Sequence, residues 1–478
     1  MAEELKPDIC VIGGGPAGIA VAIAAANAEV PVVLVEGSEM GGVNVAAAVP
    51  SKALVAAASR YESLRVGPAF GVTGAPLQVN LGKVHDHLRS ATEAVAANGS
   101  AERLTALGAT VVKAQARFVD GHTVVAGDTT IRAKHFVIAT GAKPVIPDVP
   151  GLGEVDYLTF ETIFDATRKM GHLIVLGAGR YGLEIAQAYT RLGIDATVID
   201  DGPALADEDP ELAALVLERL RAEGIRVRDR TRILGVARRR GGIRATVAAI
   251  AGSESEEIPV DGTHILVAPS RRAANIGGLG LDKAGIEHDG EGIKVDPHLR
   301  TTNNRVHAIG DVIAGPAGVN RAEHQAAMVA KRLLRQAGPA TGVFPIPSMA
   351  MTDPALAAVG LDENEAHRKH KDVRVLRLPF AESDLNQADR ATSGLLKIIV
   401  TDRGQILGAA AVGREAGEVI ALWSLAIANR LTIDAMQTFV APYPTRADLS
   451  RRIAESFTGP GLTPPPRRRI IDFLRKSG

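Results

Sequence analysis

Cysteine is almost missing: Cys10 is the only one in 478 residues. A lone thiol forms no intramolecular disulfide, so neither a structural staple nor a two-cysteine redox cycle is available within the chain. It lies in the apolar run DICVIG, where it reads as a small buried hydrophobe on a strand. Net charge is missing too, with 54 Lys and Arg against 54 Asp and Glu. No chain-wide basic field is offered to nucleic acid, and no nucleic-acid signature is present, so no such partner is expected. No apolar run reaches the ~18 residues that span a bilayer, so no integral membrane segment is expected. The N-terminus MAEELKPDICVIGGG has no cationic stretch before its short apolar run, which argues against a signal peptide. The expected location is cytoplasmic, and no metal is expected. What is present is ordinary for a protein with large cores: 46% apolar and 23% charged residues. At ~150 residues per domain, the length suggests about three domains.

Residues 8–36 read as one βαβ unit. DICVIG is a β-branched run, GGGPAG a tight turn, IAVAIAAANA an alanine-rich helix, and VPVVLVE a second strand ending on Glu36. Gly13, Gly15 and Gly18 fall between strand and helix, where they permit the turn, the approach of a pyrophosphate, and the packing of helix on strand. The helix start offers free N–H groups and about half a positive charge to the phosphates. Glu36 is placed to accept hydrogen bonds from a ribose. The pattern recurs at 172–200: HLIVLG, the turn GAGRYG with Gly177, Gly179 and Gly182, the helix LEIAQAYTRLG, and ATVID closing on Asp200. First glycine and terminal acid are equally spaced in both copies, so two dinucleotide sites in two domains are expected.

The second acid bears on cofactor choice. A 2′-phosphate ~4 Å from a carboxylate costs ~4 kcal/mol per charge at an effective dielectric near 20. The run DDGPALADEDPE after ATVI is acidic and contains no arginine, so NADH is expected over NADPH.

Further segments follow in order: ATGAKPVIP (139–147), HAIGDV (307–312), PSMAMTDPALAAVGLDENEA (347–366), LLKIIVTDRGQILGAAAVG (395–413) and APYPTRADLSRRIAESF (441–457). Over roughly 8–457 the chain resembles the pyridine nucleotide–disulfide oxidoreductases, the flavoprotein family of dihydrolipoamide dehydrogenase, glutathione reductase and mercuric reductase. The resemblance implies an α/β fold with two Rossmann-like dinucleotide-binding domains and a C-terminal α+β dimerisation domain, hence a homodimer. It places an FAD domain at 1–150 and 268–340, an NAD domain at 151–267, an interface domain at 341–460 and a basic tail at 461–478. It also implies FAD contacts from Gly13, Gly15, Pro16, Ala17, Gly18, Glu36, Thr140, Gly141, Gly310 and Asp311, with Asp311 on the ribityl chain. Lys52 matches the lysine beside flavin N5, and Glu184 its ion-pair partner. The NAD turn would comprise Gly177, Gly179, Arg180, Tyr181, Gly182, Glu184 and Asp200.

The resemblance breaks at three places. Redox-active members carry two cysteines, with four residues between them, ahead of a Pro-Ser-Lys; counting back from Pro50, those positions hold Val43 and Ala48. Near the C-terminus, a His-Pro-Thr and a following glutamate serve as the thiols' acid–base pair, and Tyr443-Pro444-Thr445 and Asp448 stand there instead. Tyr443 either hydrogen-bonds an acceptor or packs at the dimer interface. Arg180 replaces an uncharged lid residue; it can contact phosphates, stack on a ring or block entry, with Tyr181 as a substitute lid.

These features point to an FAD-dependent NADH oxidoreductase that is not a disulfide reductase and passes electrons to a quinone-like small molecule. The apolar space at Val43 and Ala48 would be its substrate pocket. Two alternatives are an FAD-binding partner protein without turnover and an NADH oxidase making peroxide. The tail PPPRRRIIDFLRKSG is basic and amphipathic, suited to an anionic membrane surface, to the partner subunit or to solvent.

Overall fold

The run after Asp8 forms strand β1 (Ile9–Ile12), fully buried, and Pro16–Asn27 forms helix α1. Their junction is set by proline at the first helical turn, where its missing N–H costs nothing. Strand β2 (Val32–Glu36), helix α2 (Val49–Arg65), and strands β3 (Thr110–Lys113) and β4 (His135–Ile138) follow. The computed structural model describes residues 3–74, 77–166, 169–250, 256–269, 272–336 and 345–457. The chain divides into two units, Met1–Gly177 with Ala188–Asp201 and Thr231–Gly342, and Ala178–Gln187 with Gly202–Arg230 and Val343–Gly478.

The first unit contains two parallel sheets. Strands β5 (His172–Leu176), β6 (Asp195–Ile199), β7 (His264–Val267) and β8 (Val306–Ala308) complete its main set, and helix α3 (Arg180–Arg191) lies between β5 and β6 in the chain. One sheet runs β8-β4-β1-β2-β3, wholly parallel, with Ile9 opposite both Val32 and His135. β8 thus returns from far along the chain to the sheet begun by β1. Near-continuous Val, Ile and Leu suit strands covered on both faces. Helix α1 buries Val21, Ala22 and Ala25 and packs against helix α4 (Val319–Leu333). Cys10 lies in this core, fully buried, where burial pushes its thiol pKa far up and makes it inert. In the other sheet β7, β5 and β6 are parallel neighbours. Ile174, Leu176 and Ile265 share a core with Val247 and Val260 of an antiparallel sheet, Thr231–Arg239, Gly242–Ala249 and Ile258–Gly262.

The second unit carries an antiparallel sheet of β9 (Ser348–Ala350), β10 (Ala355–Gly360), β11 (Val373–Pro379), β12 (Leu395–Thr401) and β13 (Ile406–Gly413), in the order β9-β10-β13-β12-β11. Helices α5 (Ala416–Ala428) and α6 (Asp448–Ser456) cover it. Trp423 of α5 is fully buried and donates its indole N–H to Ser450 Oγ of α6 at 3.1 Å. The α/β class with a C-terminal α+β region is therefore as expected. The 461–478 tail lies outside the described residues. Among the described residues no helix is long and apolar enough to cross a membrane, and no group of three potential metal ligands occurs.

One buried polar group on β8 works against stability at low pH. His307 is 3% exposed, and among the described residues neither ring nitrogen has a hydrogen-bond partner. Burial, then repulsion from His135 and Arg332, pushes its pKa down to about 4; Asp296 opposes this and Arg300 adds to it. An unfolded histidine titrates near ~6.5, so between these values the unfolded chain binds a proton that the folded chain refuses. The contribution is intact above pH ~6.5 and is lost progressively as pH falls toward 4. His307→Leu should therefore lose less stability than the parent between pH 7.5 and 5, by ~2 kcal/mol, in urea unfolding. An unchanged difference would remove His307 as a cause of acid lability.

Candidate functional site

At the first glycine turn, Gly13 has φ 111° and donates its N–H to Val35 O at 2.8 Å. A Cβ on Gly13 would lie 2.4 Å from Ala139 O, and one on Gly18 would lie 1.9 Å from Gly13 O. By contrast a Cβ on Gly15 would meet nothing within 4 Å. Gly15 caps α1 without a side-chain hydrogen bond, so Pro16, Ala17 and Gly18 begin a helix whose first N–H groups have no side-chain cap. Glu36, at the tip of β2, accepts from the backbone of Gly14 and from Ser38 N and Oγ at 2.6 and 2.9 Å. An open glycine at an uncapped helix start, beside a carboxylate, is the shape and chemistry that a dinucleotide pyrophosphate and its ribose require. FAD fits these residues.

The segment after β2 folds over this turn. Gly41 donates its N–H to Gly14 O at 2.8 Å, and a Cβ on Gly42 would come within 3.1 Å of Gly15 Cα. Asn44–Ala48 makes one wide helical turn, closed by Val49 N–H to Asn44 O, before α2 begins. Such π turns are single-residue expansions and concentrate at functional sites. Val43 and Ala48 are half-buried on this segment, whereas the fully buried alanine is Ala47. Ser51 is buried and donates to Ala48 O at 2.9 Å, and Lys52 beside it is exposed. The segment that carries Val43, Ala48 and Lys52 is thus anchored to the first glycine turn through Gly41 and Gly42.

Asp311 follows β8 in a short helical turn. Its carboxylate accepts from Gly318 N at 3.1 Å and from Arg272 Nη1 at 3.2 Å. Arg272 also lies 4.8 Å over the Phe160 ring. Gly310 N donates to the Gln325 side-chain oxygen at 2.8 Å. Thr140 and Gly141 join the segment Arg272–Ala274: Thr140 Oγ1 donates to Asn275 O at 2.9 Å, and Asn275 N to Gly141 O at 2.9 Å. Sequence reasoning named Asp311 and missed Arg272 and Gln325. Arg272 stands in SRRAAN, and two adjacent arginines just after a buried strand were the available signal.

The second turn repeats the first where its strands lie. Gly177 has φ 119°, donates to Ile199 O at 2.8 Å, and would put a Cβ 2.2 Å from Ala268 O. Asp200 follows β6, and its carbonyl accepts from Thr231 N at 2.8 Å. In the second unit, Gly179 is as open as Gly15, and Arg180, Tyr181 and Gly182 form the first turn of α3. Glu184 is buried and accepts from Met351 N at 3.2 Å.

The acidic run beyond Asp200 is not the uncompensated field that its composition implies. Glu208 pairs with Arg180. Asp209 and Glu211 lie 2.7 and 2.9 Å from the buried Lys397 ammonium, and Arg377 also reaches Glu211 at 2.9 Å. Burial opposes the Lys397 charge, but its hydrogen bonds to Asp209, Glu363 and Glu211 prevail and its pKa is raised. Cations from distant parts of the chain thus neutralise half of the run, and the charge argument for NADH over NADPH is weaker than its sequence suggests.

Near the C-terminus, Tyr443 is 76% exposed and donates to Asp384 Oδ2 at 3.1 Å. That hydrogen bond raises its pKa. Asp448 accepts instead from Arg451 at 2.9 Å and from Arg452 Nε at 2.5 Å. Burial raises its pKa, but the bonds from Arg452 and Arg451 outweigh this and the net direction is down. Tyr443 and Asp448 therefore hydrogen-bond to different partners, while the Asp448 charge adds to the upward shift at Tyr443.

Comparison with known proteins agrees with this geometry. Residues 7–326 match the pyridine nucleotide-disulphide oxidoreductase model, and 346–452 match the dimerisation domain of the same family. A mercuric reductase of Streptomyces lividans is 35% identical, over 94% of this chain and 96% of its own. A dihydrolipoyl dehydrogenase of Geobacillus stearothermophilus is 30% identical, over 95% and 97%. LpdA from Mycobacterium tuberculosis superposes with a TM-score of 0.85 at 25% identity, covering 95% of this chain and all of that one. The chain is a flavoprotein-type member of the pyridine nucleotide-disulphide oxidoreductase family, whose members use FAD and NAD(P)H.

Proposed function

We propose that this chain is an FAD-dependent NADH dehydrogenase that delivers electrons directly to a quinone-like small acceptor, with no dithiol between. The observation that carries the reading is where sulfur is and is not. The only thiol is sealed in β1, while Val43 and Ala48 stand on the segment folded over the first glycine turn. A disulfide-reductase cycle needs a thiolate that can attack and be regenerated, and a buried, lone, neutral thiol supplies neither. FAD held at the first glycine turn would supply the two-electron carrier between nicotinamide and acceptor. The net reaction is NADH, a proton and a quinone going to NAD⁺ and hydroquinone.

The chain's own residues hold the reactants. In this reading the N–H groups at the start of α1, Gly13 to Gly18, bind the FAD pyrophosphate and Glu36 its ribose. Asp311 takes the ribityl chain, fixed by Arg272 and Gly318. Lys52 would supply positive charge near the ring of a bound flavin. The turn Gly177 to Gly182 and Asp200 take NADH. Val43 and Ala48 offer an aliphatic wall to a flat acceptor. In this reading the chain works as a homodimer, supported by its match to the family's dimerisation domain, with 1–150 and 268–340 as FAD domain, 151–267 as NAD domain and 341–460 as interface domain.

Anaerobic stopped-flow mixing with NADH should bleach the flavin band, and a quinone added afterwards should restore it. No bleaching within minutes overturns the dehydrogenase reading. Bleaching reversed by oxygen, but by no quinone, would move the assignment to a peroxide-forming oxidase. Lys52→Met should keep FAD but slow bleaching roughly tenfold or more, ~1.4 kcal/mol of transition-state stabilisation. An unchanged rate would remove Lys52 from the site.

A further inference from the structure

The loop following β6 folds back on the second glycine turn. Within the second unit, Leu205, at φ 55°, donates its N–H to Ala178 O at 3.0 Å, and Glu208 N donates to Leu205 O at 2.9 Å. Ala204 and Leu205 are buried, so the loop is packed down as well as hydrogen-bonded. This fold-back sets the Glu208 carboxylate, 3% exposed, on Nε of Arg180. Arg180 opens α3 directly beside Gly179, where a Cβ would meet nothing within 4 Å. A cation at a helix start adds to the positive end of the helix dipole, an unfavourable place for it unless an anion is near. A buried carboxylate likewise needs a partner. Each group resolves the other's cost.

We propose that Glu208 is a specificity-determining residue of the nicotinamide-nucleotide site: it cancels the Arg180 charge beside the second glycine turn and so restrains affinity for dinucleotide phosphates, above all for a 2′-phosphorylated one. This rests on the reading of that turn as the NADH site. The argument is one of charge. A dinucleotide pyrophosphate carries about two negative charges, and a 2′-phosphate adds nearly two more. An uncompensated guanidinium within a Debye length, ~8 Å in physiological salt, attracts the more charged ligand more strongly. Paired with Glu208, the same guanidinium presents no net charge and gives the 2′-phosphate no such advantage.

The test is equilibrium binding of NAD⁺ and NADP⁺ to the FAD-loaded full chain by titration calorimetry, so that turnover plays no part. Glu208→Gln keeps the side chain's size and an oxygen for Arg180 Nε but removes the charge. It should tighten NAD⁺ about threefold and NADP⁺ about tenfold or more, with both gains shrinking at high salt. Arg180→Gln/Glu208→Gln should return both affinities to within about twofold of the parent. An NADP⁺/NAD⁺ ratio unchanged in Glu208→Gln, or weaker binding of both, overturns the proposal. Should that variant not fold, Arg180→Gln is the second arm. It leaves the carboxylate uncompensated and should weaken NADP⁺ more than NAD⁺; equal weakening, or none, overturns the proposal too. If the parent itself binds neither nucleotide, the reading of the turn falls first, a result distinct from the others.

Discussion

A strand and a helix can offer bare backbone to a phosphate only if no Cβ stands between them. In the first unit this constraint is met where Gly13 passes Ala139 O and Gly18 passes Gly13 O, both closer than any side chain permits. The close contacts lock the strand–turn–helix geometry, and only at Gly15 of these three would an added Cβ meet nothing within 4 Å. The order β8-β4-β1-β2-β3 follows from the same point, since β1 must have β4 on one side and β2 on the other. β4 then leads to Ala139 and Thr140 at the turn, and β2 ends on Glu36. Gly177 reproduces the constraint against Ala268 at the second turn. Two sites therefore rest on one short-range steric rule used twice.

Within each unit, charge is managed by pairing rather than by exclusion. Asp311 meets Arg272, Glu208 meets Arg180, and Lys397 gathers Asp209, Glu211 and Glu363. Arg446, 5% exposed, is held between Asp389 and Glu415. Each of these cations is thus met by at least one carboxylate close by, and a single-charge substitution leaves its partner uncompensated. Removing one member of a buried pair is costly chiefly because the other remains buried alone.

This explains what was legible in the sequence. Glycine turns, buried strands and terminal acids are encoded within about thirty residues, so both βαβ units and the class of fold were readable from spacing. The charge pairs were not. Arg180 and Glu208 are 28 residues apart, Tyr443 and Asp384 are 59, and Lys397 and Asp209 are 188. Nothing local distinguishes an acid that will be neutralised by a distant lysine from one left in solvent, which is why the acidic run after Asp200 looked more repulsive than it is. The wide turn at Asn44–Ala48 escaped for another reason. Alanine and valine fit an ordinary helical turn as well as a wide one, and only the Val49 N–H to Asn44 O bond reveals the extra residue.

That packing also answers why a frame persists around missing sulfurs. Had the segment Gly41–Lys52 only a thiol to present, its loss would leave the rest free to drift. Its backbone instead serves the nucleotide turn directly, through Gly41 N–H to Gly14 O and the contact of Gly42 with Gly15. Pro50 then starts α2, and Ser51 ties back to Ala48. None of these contacts uses the side chains of residues 43 and 48. The backbone of this segment is therefore held by the glycines, Pro50 and Ser51 whichever side chains stand at 43 and 48. A redox centre whose reactive atoms sit on structurally idle positions can lose them and keep its cofactor platform, and this chain has the geometry of such a platform.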